Sequence, residues 1–64
     1  MDEAKLRKWV HELNNLVGMV LASAELLQLD QLSPKALERV KLIEEKSLAM
    51  RQTLRDLGDH AFKT

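Results

Sequence analysis

The sequence predicts an all-α protein: an antiparallel helical hairpin that pairs with a second copy of itself into a homodimeric four-helix bundle. Three observations predict it. Apolar residues recur at three- and four-residue intervals through both halves of the chain. The single proline, Pro34, sits near the middle, where it separates two helices and breaks neither. Each half carries an apolar stripe too wide for one neighbouring helix to cover, which calls for a second hairpin.

The first helix is expected over about residues 2–29. It holds no proline and only Gly18, with apolar positions at Leu6, Trp9/Val10, Leu13, Leu16/Val17, Val20, Ala24 and Leu27. The turn follows at residues 30–33. Ser33 is placed to cap the next helix, with Pro34 at the first helical position, where a missing N–H costs nothing. Leu32 and Leu37 occupy the two positions of a hydrophobic staple. The second helix is expected over about residues 34–57, with Gly58 able to end it in a left-handed conformation. Its stripe runs Val40, Ile43, Ser47, Met50, Leu54, Leu57 and Ala61, a four-three repeat with one polar lapse at Ser47. Such stripes suit shallow crossing angles and bundle packing, and a connection this short makes the helices antiparallel neighbours. Trp9 and Phe62, the only aromatics, fit bundle packing better than ligand contact.

With 64 residues and no cysteine, neither a disulfide framework nor a thiolate metal site can reinforce an elongated hairpin, and oligomerisation is the remedy left. Ten Lys/Arg balance ten Asp/Glu without forming a block, so no net field draws the chain to nucleic acid or to an anionic membrane. No apolar run approaches the roughly 18 residues that span a bilayer, and no secretory leader is recognisable. A cytoplasmic setting is expected.

A second stripe lies on the first helix. At about 100° per residue, Asn15, Gly18 and Ala22 fall within about 40° of His11, with Arg7 on the same side, and His11 points about 160° from Leu13. That wheel places the histidine outside the core. Gly18 costs close to 1 kcal/mol against alanine in a helix interior. With Ala22 it leaves a strip poor in side chains, bordered by Met19, Leu26 and Leu29. Exposed apolar residues beside small ones suit a partner-docking surface formed by Gly18, Met19, Ala22 and Leu26; drift on a tolerant helix surface would give the same pattern.

The segment His11-Glu12-Leu13-Asn14-Asn15-Leu16 resembles the phosphoacceptor motif, the H-box, of sensor histidine kinases. It is closest to the subgroup reading His-Asp/Glu-Phe/Leu-Asn-Asn-Leu. The likeness continues through Val17-Gly18-Met19-Val20 to Glu25-Leu26-Leu27, and the hairpin and its length extend it over nearly the whole chain. Leu16 stands where many members have a proline that kinks the helix, so switching that depends on such a kink is not expected here.

The resemblance implies that residues 1–64 are the dimerisation and phosphoacceptor domain of a two-component histidine kinase. His11 would take the γ-phosphoryl of ATP and pass it to an aspartate of a response regulator. An imidazole, largely unprotonated at neutral pH, is nucleophilic enough for this and must be open to an in-line donor. Glu12 would act as base and orienter, holding one ring nitrogen so that the other attacks. Asn15, one turn on, would position a water for dephosphorylating the regulator. Lys8 suits either phosphate contact or plain solvation, and His60 is expected at a fraying, exposed end.

The chain has no glycine-rich phosphate loop and no room for an ATP-binding domain. It is therefore expected to be catalytically incomplete alone, to bind no cofactor or metal itself, and to depend on a separate catalytic domain using ATP and Mg. Its expected partners are itself, that domain and a receiver domain, with no nucleic acid and no membrane contact. Three alternatives stay open: an RNA-binding hairpin dimer, which needs a row of basic residues on one face; a purely structural dimer; and a stand-alone phosphotransfer protein.

Overall fold

Asp2 opens the first helix as an N-cap in extended conformation, its Oδ1 accepting the Ala4 N–H at 3.0 Å. The computed structural model describes residues 2–62, which form α1, Glu3–Leu27, and α2, Pro34–Ala61. α1 unwinds through tightened bonds, from Leu29 N–H to the Leu26 carbonyl (3.0 Å) and from Asp30 N–H to the Leu27 carbonyl (3.1 Å). Ser33 then caps α2: its Oγ accepts the Ala36 N–H at 3.1 Å, and Pro34 is the first helical residue. The expected start of α2 is thus the start observed, whereas α1 ends at Leu27, two residues before its expected end.

The second helix does not stop at Leu57. It runs through Gly58 to Ala61, and no glycine among the described residues has a positive φ. The Gly58 carbonyl instead accepts the Phe62 N–H at 2.9 Å. Two features carry the helix past the glycine. Nothing downstream breaks the ladder, and Phe62 is anchored to α1, its ring centroid 4.6 Å from the Arg7 guanidinium carbon.

The two helices lie side by side and antiparallel, in a rod of 46 × 17 × 15 Å. Its radius of gyration is 14.8 Å, against about 11 Å for a compact chain of this length. The seam between the helices buries Val17, Leu21 and Ala24 of α1 against Val40 and Ser47 of α2. Leu6, Val10, Leu37 and Leu54 extend it, half-buried. Leu21 is absent from the stripe read off the sequence, yet it is among the best-buried side chains. Ser47 is 1 % exposed, and its Oγ has no hydrogen-bond partner.

The single apolar stripe expected on each helix resolves into two. One part faces the other helix. The rest stays uncovered on one flank of the hairpin: Trp9, Leu13, Leu16, Val20 and Leu27 on α1, with Ile43, Met50 and Leu57 on α2, all more than 40 % exposed. The accessible surface is 5312 Å², about 1,100 Å² more than a compact monomer of this mass presents.

Candidate functional site

His11 lies on the opposite flank. Val10, in the seam, and His11 are successive residues about 100° apart on the helix, which turns the imidazole outward beside the seam while keeping it within reach of α2. His11 is exposed. It shares a groove of about 640 Å³ between the helices with Arg7, Asn14, Asn15 and Gly18 of α1, with Arg51, Arg55 and Asp59 of α2, and with Phe62 just past its end. A shallower hollow on the N-terminal side of His11 is lined by Glu3, Ala4, Arg7 and Lys8.

Charge is arranged unevenly in the groove. Three guanidiniums and one carboxylate, Asp59, line it, although the chain as a whole is neutral. Arg7 is engaged: it pairs with Glu3 at 3.0 Å, one turn away, and lies over the Phe62 ring. That is the one ion pair among the described residues, so Arg51 and Arg55 have no carboxylate partner there. Arg51 reaches across to α1, since a Cβ placed on Gly18 would lie 3.4 Å from its Nη2. The glycine leaves room for this side chain to lie down beside the histidine face.

The residues singled out in the sequence separate into groups. His11, Asn15 and Gly18 are brought together in the groove. Glu12 is exposed but does not line the groove, and no hydrogen bond joins it to His11. Met19 lines a hollow on the uncovered apolar flank with Val20, Leu27 and Ile43, away from Gly18. Ala22 and Leu26 are exposed and line neither. The expected docking strip is therefore not one surface: Gly18 faces Arg51, Met19, about 100° further round the helix, lies on the apolar flank, and Ala22 and Leu26 join neither. His60 is exposed in the last turn of α2. Among the described residues, no three His, Cys, Asp or Glu side chains are grouped to hold a metal ion, and no helix is long and apolar enough to cross a membrane.

Sequence reading missed Arg51 and Arg55. Their i, i+4 spacing puts them on one face of α2. What brings that face to His11 is the register between the helices, which no single-helix pattern encodes.

Compared with protein-family models, with curated proteins and with solved structures, the chain matches none.

Proposed function

We propose that this hairpin is a histidine phosphoacceptor and dimerisation domain of the two-component signalling type, working in the cytoplasm. The observation that carries the reading is the opposition of its two flanks. The imidazole of His11 lines an open groove with three arginines on one side, while the exposed apolar surface lies on the other.

A second copy can therefore cover Leu13, Leu16, Val20, Ile43 and Met50 without touching His11. The excess of about 1,100 Å² of accessible surface on one chain is what a partner in a stable dimer typically covers. In the proposed reaction a neutral ring nitrogen of His11 attacks the γ-phosphorus of ATP, held by a separate catalytic domain with Mg. The bond from that phosphorus to the ADP oxygen breaks, and the proton of the other ring nitrogen leaves to Glu12 or solvent. Transfer to a receiver aspartate then restores the imidazole. Asn15 lines the same groove one turn on, which supports a role for its amide in orienting a water during dephosphorylation.

The rival of RNA binding is disfavoured by the distribution of charge. Three of the four arginines line the His11 groove, and the fourth, Arg39, lies in a separate hollow with Lys35, Lys41 and two glutamates, so the basic residues form no continuous row along the rod.

The test is labelling. Given a histidine kinase catalytic domain and Mg-ATP, the chain should gain an acid-labile, base-stable phosphate, and His11→Gln should abolish it while leaving the dimer intact. Label that persists in His11→Gln places the acceptor elsewhere and ends the proposal. A folded monomer at micromolar concentration in analytical ultracentrifugation removes the bundle.

A further inference from the structure

The groove assigns a phosphoryl-binding role to two side chains of α2. We propose that Arg51 and Arg55 form a clamp for the phosphoryl oxygens arriving at and attached to His11, a role resting on the phosphoacceptor reading above. Four observations converge. Both arginines line the same groove as His11, from the other helix. Neither has a carboxylate partner among the described residues, whereas Arg7 in the same groove is held by Glu3 and Phe62. Arg51 is laid across Gly18, on the His11 face of α1, rather than out into solvent. Helical spacing holds the two guanidiniums one turn apart, and two such planar donors match the oxygens of a phosphoryl dianion.

The counter-charge in the groove is Asp59, one turn beyond Arg55. It makes no ion pair with either arginine, so it leaves both free to turn toward an incoming dianion. The groove carries more positive than negative side chains while the whole chain carries none in excess, and that contrast favours a small anion over a long polyanion.

A chemical donor isolates this claim from any kinase. Potassium phosphoramidate phosphorylates imidazoles directly: a ring nitrogen bonds to phosphorus, the P–N bond of the donor breaks, and ammonia departs carrying the ring proton. His60 is an internal reference, exposed on the same chain and outside the groove. In the full chain, phosphorus-31 NMR and mass spectrometry should show His11 labelled about tenfold faster than His60. Arg51→Gln with Arg55→Gln should bring the two rates together, and Arg51→Lys with Arg55→Lys should restore part of the difference. The phosphorylated His11 of the glutamine variant should also hydrolyse faster, with circular dichroism unchanged.

Equal labelling of both histidines in the unaltered chain overturns the clamp, as does a ratio unaffected by the double substitution. Should the glutamine variant fail to fold, the unaltered chain still decides: phosphorylation of His11 must shift the Nε–H resonances of Arg51 and Arg55, and unmoved resonances reject it. The clamp and the phosphoacceptor reading fail separately. Kinase-dependent labelling of His11 with no preference over His60 rejects the arginine pair alone. A His11 preference with no kinase labelling keeps the anion site and rejects the signalling role.

Discussion

The two flanks of the hairpin share one seam and have opposite needs. On one flank, Leu13, Leu16, Val20, Ile43, Met50 and Leu57 form a continuous uncovered apolar surface. On the other, His11, Asn15, Arg51 and Arg55 surround a groove that water can fill at little cost. An apolar patch of that extent on so small a protein is what the proposed pairing would cover, whereas the polar flank needs no cover. The difference teaches how a rod two helices thick could pair through one flank, as proposed, and still present the His11 imidazole on the other. Its seam occupies one arc of each helix, and the arcs on either side are free to specialise.

The largest effect expected follows from charging the apolar flank. Leu13→Glu sets a carboxylate into the surface proposed to pair, and an unpartnered buried charge costs roughly 3–5 kcal/mol. The dimer dissociation constant should rise by at least about a hundredfold, and helicity at micromolar concentration should fall with it. Arg55→Glu, an equally drastic change on the other flank, should leave sedimentation unaltered while suppressing phosphoramidate labelling of His11. If the two variants behave alike in the ultracentrifuge, the flanks are not distinct and the comparison breaks.

Between the flanks lies Ser47, buried in the seam with no hydrogen-bond partner for its Oγ. Leaving a buried hydroxyl unsatisfied costs about 1–3 kcal/mol. Ser47→Ala should therefore raise the midpoint of urea denaturation by an equivalent of about 1 kcal/mol, with no change in oligomeric state or in His11 labelling. A loss of stability would mean that the hydroxyl has a partner, and that the seam is wetter than this packing implies. At the far end of the hairpin, Ser33→Ala removes the cap that accepts the Ala36 N–H and should cost about 1 kcal/mol on the same measurement.

Much of this architecture was legible in the sequence because its causes are local. Ser33 and Pro34 announce the start of α2 wherever the helix points, and the three-four spacing announces both helices. The outward aspect of His11 followed from the wheel. What the wheel could not supply was the direction of the seam. Leu21 escaped notice because Val20 beside it continued the stripe, and the sequence reading placed on one stripe residues that the fold divides between seam and flank. The end of α2 was misplaced for a related reason. Gly58 is a stop signal by its own chemistry, and the contact that overrides it, Arg7 with Phe62, joins opposite ends of the chain. Arg51 and Arg55 likewise gain meaning only once the interhelical register sets them beside His11.

The smallest effects expected come from the two glycines, and they separate packing from conformation. Gly18 lies mid-helix, where alanine is better by about 1 kcal/mol. The methyl added by Gly18→Ala would approach Arg51 Nη2 at 3.4 Å, the far end of a flexible side chain that can give way. Stability should rise by about 0.5–1 kcal/mol, a gain of several degrees in Tm for a domain of this size. Gly58→Ala meets nothing within 4 Å, and since Gly58 is helical here it should also stabilise, by less, because the last turn frays. The sign at Gly58 is the sharper result. A left-handed helix end at that position would make alanine destabilising, so a drop in Tm would move the end of α2 back to Leu57 and take Phe62 out of the groove. Gly18→Ala carries the matching test on the polar flank. Because Arg51 can give way to a methyl, Gly18→Ala should change labelling by no more than about threefold, whereas Gly18→Leu, filling the space the guanidinium occupies, should slow it further, toward the His60 rate.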